Sequence, residues 1–491
     1  MNAQSVALYS AAQVREFDRR AIADFRIAGY ELMTRAARAT LDALVAAWPE
    51  ARSIAVLCGT GNNGGDGLVL ARLARQRGLD VRVVTLGYPA ALRGDAQRAW
   101  QDYAHSGGRS TPWGPAVLDC DVVVDAMFGT GLAREIDGEA RTIVEAVNAR
   151  GRPVLAMDMP SGLDSDTGRP HGVAVRADLT VTYLAHKVGC HVAEGPACVG
   201  RLLLDDLGVP PAALADTDPV MRILGEDVIA AALPPRDREA HKGRFGHVLV
   251  VGGGPGMPGA ALLAGTAALR AGAGLVTLAV HPSNLAAVAA RPELMCVAAE
   301  TPAALEAALE RATVVAVGPG LGQSEWARAI HASVLASSKP QVVDADALNL
   351  LALAPQRRDD RVLTPHPGEA ARLLERSTAD IQARRMESAV ELQSRYGGTV
   401  VLKGAGSLVV PLNGAPALCT LGNPGMATAG TGDVLTGVIA GIAAQCGDLA
   451  LAAAAGVYVH ARAGDLAARG GVRGMLAGDV IAELRHCVNP A

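Results

Sequence analysis

Three aspartates stand where the chain could do chemistry. Asp125 and Asp158 close the apolar runs DVVVDA and PVLAMD, and Asp433 sits just inside a Gly-Thr-Gly-Asp helix start. A carboxylate beyond the end of a buried strand is held from one side and open on the other, so it can relay a proton or face a cation. Asn63, Asp125 and Ser161 lie at three successive strand ends and could offer oxygens to a hard, weakly hydrated cation. At Asp433 the helix start adds backbone amides and the positive end of the helix dipole, which stabilise negative charge developing in front of them. Asp433 could then accept a proton from a substrate hydroxyl during phosphoryl transfer. A plain helix cap is the alternative reading for it.

Glycine-rich loops surround these residues. CGTGNNGGDG (58–67) contains G-x-G-x-x-G at Gly59, Gly61 and Gly64 between an expected strand and helix. A conventional dinucleotide site would need an acid at the end of the next strand, and VRVVTLG has none. Asp66, placed where the helix begins, would cap it and repel a pyrophosphate. In the second half, HVLVVGGGPGMPG carries the same spacing at Gly254, Gly256 and Gly259, with Pro258 suited to the first helical position. VGPGLG (317–322), DADALN (344–349) and TPHPGE (364–369) follow further strands, and the last sets His366 between two prolines at a strand end. VVLKGAGS (400–407) brings Lys403 and small residues to a nucleotide phosphate or ribose. There is no Walker loop and no protein-kinase signature set.

These loops require elements to hold them. Near-continuous apolar strands at 53–58, 81–86, 121–126 and 153–158 alternate with helical segments, the pattern of a parallel sheet covered on both faces. LTVTYL and GRLLLDD then close one edge without clear helices. The Pro-rich, mixed-charge stretch 208–245 reads as a connector, and strands at 247–253, 275–280, 313–317, 341–345, 361–364 and 399–403 restart the rhythm. The expectation is two doubly wound α/β domains, 1–215 and 222–491. Each would be a helix–sheet–helix sandwich.

Composition narrows the class. Across 491 residues, 45 Lys and Arg against 49 Asp and Glu leave a formal charge of −4, with no basic excess to hold nucleic acid or an acidic membrane. Hydrophobic residues at 50% and charged ones at 19% exclude general disorder. Aromatics are only 3%, so the cores must be Ala, Val and Leu. The eight cysteines form no C-x-x-C pair and read as reduced, mostly buried thiols. With no signal-like N-terminus or long apolar run, a soluble cytoplasmic protein is expected. Many of the 56 glycines gather after expected strands, which reads as loops that let backbone amides approach nucleotide-shaped ligands.

NNGGDG, DAMFGTGL and PSGLDSDTG resemble the N-terminal epimerase domain of the bifunctional NAD(P)H-hydrate repair enzymes, over about residues 1–212. The resemblance implies a Rossmann-like domain in which Asn62, Asn63, Gly64, Gly65 and Asp66 contact the hydrated dinucleotide. Gly129, Thr130, Gly131, Leu132, Ala133, Arg134 and Glu135 would do so from a second loop. It implies Asp158 at the altered nicotinamide ring and potassium held by Asn63, Asp125 and Ser161. Lys187, in TYLAHKVG, reads as a solvated lysine, with electrostatic partnership to Asp158 as the alternative.

The second half resembles the ribokinase-like superfamily through its G-T-G-D helix start. Within it, HKGRFGHVLVVGG, MPGAALLA, GPGLG, DADALN, TPHPGE, KGAGS and GNPGMATAGTGD resemble the ADP-dependent NAD(P)H-hydrate dehydratase, over about 225–491. This implies Ala261, Gly320, His366 and Asp433 at the hydrate. Lys403, Gly404, Ala405, Gly406, Ser407 and Gly432 would hold the adenine nucleotide, ADP, accompanied by Mg2+. The implied pathway interconverts the R and S hydrates, then phosphorylates the hydroxyl of the S form and eliminates phosphate to restore NAD(P)H, leaving AMP. Self-association is implied as well, since relatives of both domains commonly form homo-oligomers. A small-molecule kinase, or a nucleotide-binding scaffold with a ligand-sensing first domain, is the competing reading.

Overall fold

The computed structural model describes residues 4–489. The chain divides into two compact units, Ala7–Met221 and Arg222–Ala491, the second also including the N-terminal stretch up to Val6. Ser5 accounts for that grouping: its hydroxyl donates to Asp227 at 2.8 Å and accepts from the Gly225 amide at 3.1 Å.

In the first unit six strands pair in the order β2-β1-β3-β4-β5-β6, all parallel. They are β1 (Ser53–Cys58), β2 (Asp80–Thr85), β3 (Val122–Ala126), β4 (Val154–Met157), β5 (Leu179–Tyr183) and β6 (Arg201–Asp205). Successive side chains leave a strand on opposite faces. Val56, Val124 and Leu155 enter one core with helices α1 (Ala11–Ala23), α2 (Gly29–Ala47), α3 (Asn62–Gln76) and α4 (Gly94–His105). Ala55, Leu57, Val123 and Ala156 enter another with α5 (Gly138–Arg150). Two buried faces are the reason that the strands read as unbroken apolar runs. The parallel register sets Leu57 beside Asp125 and Asp125 beside Ala156, so the loops after β1, β3 and β4 leave from one edge. As expected from LTVTYL and GRLLLDD, β5 and β6 close one side of the sheet.

In the second unit the order is β9-β8-β7-β10-β11-β12-β13-β14-β15. The strands are β7 (His247–Val251), β8 (Leu275–Val280), β9 (Met295–Ala298), β10 (Val314–Val317), β11 (Gln341–Val343), β12 (Arg361–Leu363), β13 (Thr399–Leu402), β14 (Ser407–Val410) and β15 (Ala417–Cys419). Pairing is parallel through β13 and antiparallel for β13–β14 and β14–β15. The sequence reading missed β9, β14 and β15, and it ran β11 through to residue 345. The strand stops at Val343 because Asp344 becomes the residue before a helix and Ala345 takes a left-handed φ of 49°. Cores are built from Ala, Val, Leu and Ile, as the low aromatic content demands. All eight cysteines are free thiols, six of them buried. No helix among the described residues is long and apolar enough to cross a membrane.

Helix α8 (Thr431–Cys446) packs along α6 (Pro258–Arg270), and two glycines allow the close approach. A Cβ on Gly437 would overlap the Ala264 carbonyl oxygen and lie 2.8 Å from its carbon; one on Gly441 would lie 2.6 Å from the Ala268 carbonyl oxygen. Gly437→Ala is therefore expected to destabilise the second unit by about 1–3 kcal/mol, the usual cost of overpacking, read as a lower denaturant midpoint at unchanged slope.

Candidate active sites

In the first unit, α3 begins at Asn62, immediately after the glycine turn that follows β1, with Gly61 as N-cap and no side-chain cap. Asp66 therefore lies a full turn inside the helix, which corrects its reading as a capping residue. Its carboxyl is pushed well above the ordinary aspartate range, chiefly by loss of water and then by the charge of Asp158. Most glycines of this loop answer to the protein's own packing. A Cβ on Gly59 would overlap the Met127 carbonyl, one on Gly64 the Gly59 carbonyl, and one on Gly67 would lie 2.6 Å from the Ala126 methyl. Only Gly61 faces open space.

Asp125 and Ser161 bond directly, and both Ser161 and Asn63 reach the loop after β3: the Ser161 hydroxyl accepts from the Phe128 amide at 2.8 Å, and Asn63 Cβ and Cγ lie 3.5 Å from where a Gly129 Cβ would sit. Asp125 is completely buried and accepts from the Ser161 hydroxyl at 2.6 Å, the Ser161 amide at 2.7 Å and the Met127 amide at 3.2 Å. Burial pushes its carboxyl up to about 6 despite those bonds. Asn63 is buried with both ends of its carboxamide unpartnered. An orphaned buried amide costs about 1–3 kcal/mol unless something completes it. A carboxylate, a hydroxyl and an unpaired amide oxygen are the donor set a hard monovalent cation takes, so these residues fit potassium.

Asp158 follows β4 in a left-handed backbone conformation, φ 64°, rare for a residue with a Cβ. Its neighbour corrects the sequence reading. Lys187 is not a solvated lysine: it is fully buried, and its ammonium donates to Asp158 Oδ1 at 2.6 Å, Thr182 Oγ1 at 2.8 Å and the Tyr183 carbonyl at 2.8 Å. All three of its protons are used, which is the condition under which a lysine tolerates burial. The other Asp158 oxygen lies 3.2 Å from where a Gly129 Cβ would sit, so the 129–135 loop runs past the carboxylate. Thr130 to Glu135 are partly or fully exposed along that loop, and the Thr130 carbonyl accepts from Arg15 of α1 at 3.2 Å.

In the second unit, Gly430 is the N-cap of α8 at φ 89° and no side chain caps the helix, so Asp433 is not a cap. It stands in the first turn, its carboxyl pushed up to about 7 by desolvation and by the negative charges of Asp344, Asp346 and Glu369, against the pull of Lys403. Lys403 is turned inward. Its ammonium donates to Asp344 Oδ1 at 2.6 Å and lies 3.7 Å from Glu369 Oε2, while Thr436 of α8 donates to the other Asp344 oxygen at 2.7 Å. Burial opposes the lysine's charge, but Asp344 and Glu369 outweigh it and hold its pKa above the usual value. A Cβ on Gly432 would lie 3.4 Å from the Lys403 Nζ, so this ion pair sits directly under the helix start.

Gly404 to Ser407 form a loop closed on itself by the Gly404 amide to Ser407 hydroxyl bond at 3.3 Å, and Arg385 donates to the carbonyls of Leu402, Lys403 and Gly406. His366 is the N-cap of α7 (Pro367–Leu374): its Nδ1 accepts from the Gly368 amide at 3.0 Å, and its Nε2 lies 3.4 Å from Glu369. Desolvation and Lys403 lower its pKa, favouring the neutral ring. Gly320 is partly exposed at φ 57°, on a loop tied down by the Gly322 amide to Asp346 bond at 2.7 Å. Ala261 is completely buried, its methyl against Gly253. The sequence reading missed Asp344, Asp346, Glu369, Arg385 and Thr436 as site residues. Asp344 was findable, because it ends a strand as Asp158 does.

Replacing Lys187 by Met should leave Asp158 desolvated without its counter-charge. The expected cost is about 3–5 kcal/mol, measured by chemical denaturation, and Asp158→Asn in the same chain should recover part of it.

The YjeF-related protein N-terminus model matches residues 29–189, and the NAD(P)H-hydrate dehydratase model matches residues 248–486. The bifunctional NAD(P)H-hydrate repair enzyme Nnr of Coxiella burnetii is 46% identical over 98% of this chain and 99% of its own length. That of Escherichia coli is 41% identical over 98% and 94%. A crystal structure of a ribokinase-like superfamily protein from Enterococcus faecalis covers 55% of this chain and 95% of its own, at 32% identity and a TM-score of 0.51. Both halves and nearly the whole length are thus accounted for in order, and the chain belongs to the family of bifunctional NAD(P)H-hydrate repair enzymes.

Proposed function

We propose that the chain repairs hydrated NADH and NADPH in two steps, one per unit. The observation that carries the reading is the isolation of one aspartate at each site. Asp158 is held by a buried lysine in a strained turn beside an exposed loop, and Asp433 is lifted to about 7 in front of a free helix start. The relatives' names and the order of the two halves support the same assignment.

In the first unit, Asn62 to Asp66 and Gly129 to Glu135 bind the dinucleotide, with Asp158 at the hydrated ring. Epimerisation at a hydroxyl-bearing carbon next to nitrogen proceeds by loss and return of hydroxide, which needs a proton delivered and taken back. Asp158 is the relay. Lys187 fixes which of its oxygens faces the ring. Asn63, Asp125 and Ser161 would hold a potassium ion, which would supply fixed positive charge near the anionic ligand.

In the second unit, Asp433 removes the proton of the substrate hydroxyl as that oxygen attacks the β-phosphorus of ADP. Gly430–Gly432 amides face the negative charge that develops, and AMP leaves. The new phosphate is a good leaving group; its departure with loss of a ring proton restores the double bond. Lys403 to Ser407 and Gly432 flank the nucleotide, and Ala261, Gly320 and His366 the hydrate. Four carboxylates, Asp344, Asp346, Glu369 and Asp433, face one ammonium here, a surplus that a divalent cation arriving with the phosphates offsets.

With hydrated NADH epimers, ADP and Mg2+, dihydronicotinamide absorbance should return from both epimers. Asp158→Ala should confine recovery to the S form, and recovery from neither epimer in the unaltered chain would sink the proposal. Since Asp433 accepts a proton only when ionised, dehydratase kcat should fall as pH drops through about 7. Asp433→Asn should lower it by about 100- to 10,000-fold above that pH, with the deficit shrinking as pH falls and the unaltered aspartate protonates.

A further inference from the structure

The helix start that carries Asp433 is shaped by a segment with no ordered element of its own beyond one short turn. Gly422 to Gly430 arches from β15 to α8, and a hydrogen-bonded chain runs through it. The source is Asp465, on helix α9 (Leu449–Ala467). Its Oδ2 accepts from the Gly422 amide at 3.0 Å and its Oδ1 from the Asn423 side-chain Nδ2 at 2.9 Å. Asn423 turns its own Oδ1 to the Gly425 amide at 3.0 Å, and its carbonyl accepts from the Met426 amide at 3.1 Å. The Met426 and Thr428 carbonyls are then both within 3.0 Å of the Thr431 hydroxyl, on the first residue of α8. Packing runs alongside: Met426 lies over Gly464, where a Cβ would be 2.8 Å from the methionine methyl carbon.

We propose that Asp465 is a positioning residue of the dehydratase, setting the Gly422–Gly430 arch so that the amides at Gly430–Gly432 point at the transferring phosphoryl group. This rests on the dehydratase reading given above. Asp465 touches neither substrate nor nucleotide in this scheme; it acts through Asn423 and Thr431. The donor–acceptor pattern explains why the pair must be one acid and one amide. Asp465 accepts twice, so Asn423 can donate to it and still accept from Gly425. With Asn at both positions, one of the four partners faces a like group, and the arch loses either its Asp465 tie or its Gly425 tie. An anion hole displaced by about 1 Å forfeits roughly 100-fold in rate.

The test is an exchange cycle in the full-length chain: Asp465→Asn, Asn423→Asp and the double variant, which restores the pattern with the acid on the other side. Each single change should lower dehydratase kcat by about 10- to 100-fold, with the KM for ADP moving less than threefold, because the interaction tightens only in the transition state. Epimerase activity of the same chains should stay at the unaltered level. The double variant should return kcat to within about threefold of the starting chain, the non-additivity expected of residues in contact. A folded Asp465→Asn chain with unaltered kcat overturns the proposal. So does a folded double variant that stays as slow as the singles, which also decides the matter if Asp465→Asn alone fails to fold. An unaltered chain without dehydratase activity overturns the dehydratase reading itself, a separate result.

Discussion

A buried ammonium held at 2.6 Å by an aspartate just beyond a strand supports each of the two sites: Lys187 on Asp158 in the first unit, Lys403 on Asp344 in the second. Two opposite charges removed from water are tolerable only when the remaining donors and acceptors are also satisfied. The structure meets that condition with a threonine in each case, Thr182 for the lysine and Thr436 for the aspartate. The two pairs nevertheless serve differently. Lys187 grips Asp158, the carboxylate proposed as the proton relay. Lys403 grips its neighbour Asp344, while Asp433 is lifted to about 7 by desolvation and by the charge of Asp344, against the pull of Lys403. The roles proposed for the two aspartates, a proton relay and a general base, fit such different surroundings.

Parallel pairing brings these groups to one place in each unit. A parallel sheet sends every loop after a strand to the same edge, so residues far apart in sequence meet without a dedicated scaffold. Asp125 and Ser161 are 36 residues apart and bond twice; Lys403 and Asp344 are 59 apart. The same crowding explains most of the glycines at these edges. Gly59, Gly64, Gly252 and Gly318 are glycine because a Cβ would strike a neighbouring carbonyl, Gly256 takes a left-handed φ of 75°, and a Cβ on Gly61 or Gly259 would meet nothing within 4 Å. The reading of glycine as room for a ligand therefore fails for the first set, whose glycines make room for the protein's own backbone.

Most of the parallel strands and the helix start at Pro258 were legible in the sequence because each follows from local pattern: a short apolar run, glycine after the strand, proline at a first helical position. The motifs NNGGDG, PSGLDSDTG and GNPGMATAGTGD were likewise sufficient to place the family, since motif order is a property of the chain and not of its folding. Asp125, Asp158 and Asp433 were visible as strand-end or helix-start acids.

Partnerships were decided only by the tertiary structure. Two acceptors of Lys187, Thr182 and the Tyr183 carbonyl, lie only five and four residues away, but its counter-charge Asp158 is 29 residues off in the turn after β4, and burial is set by what packs over a residue. Asp66 read as a cap until the helix proved to start four residues earlier, at Asn62. Strands β14 and β15 escaped because short antiparallel segments earn their pairing from neighbours across the sheet, a non-local term absent from any window of sequence. The sequence alone determined which residues could do chemistry and in which order the two units come. Which of those residues are charged, held or paired depended on contacts between distant segments, and those exist only once the chain has folded.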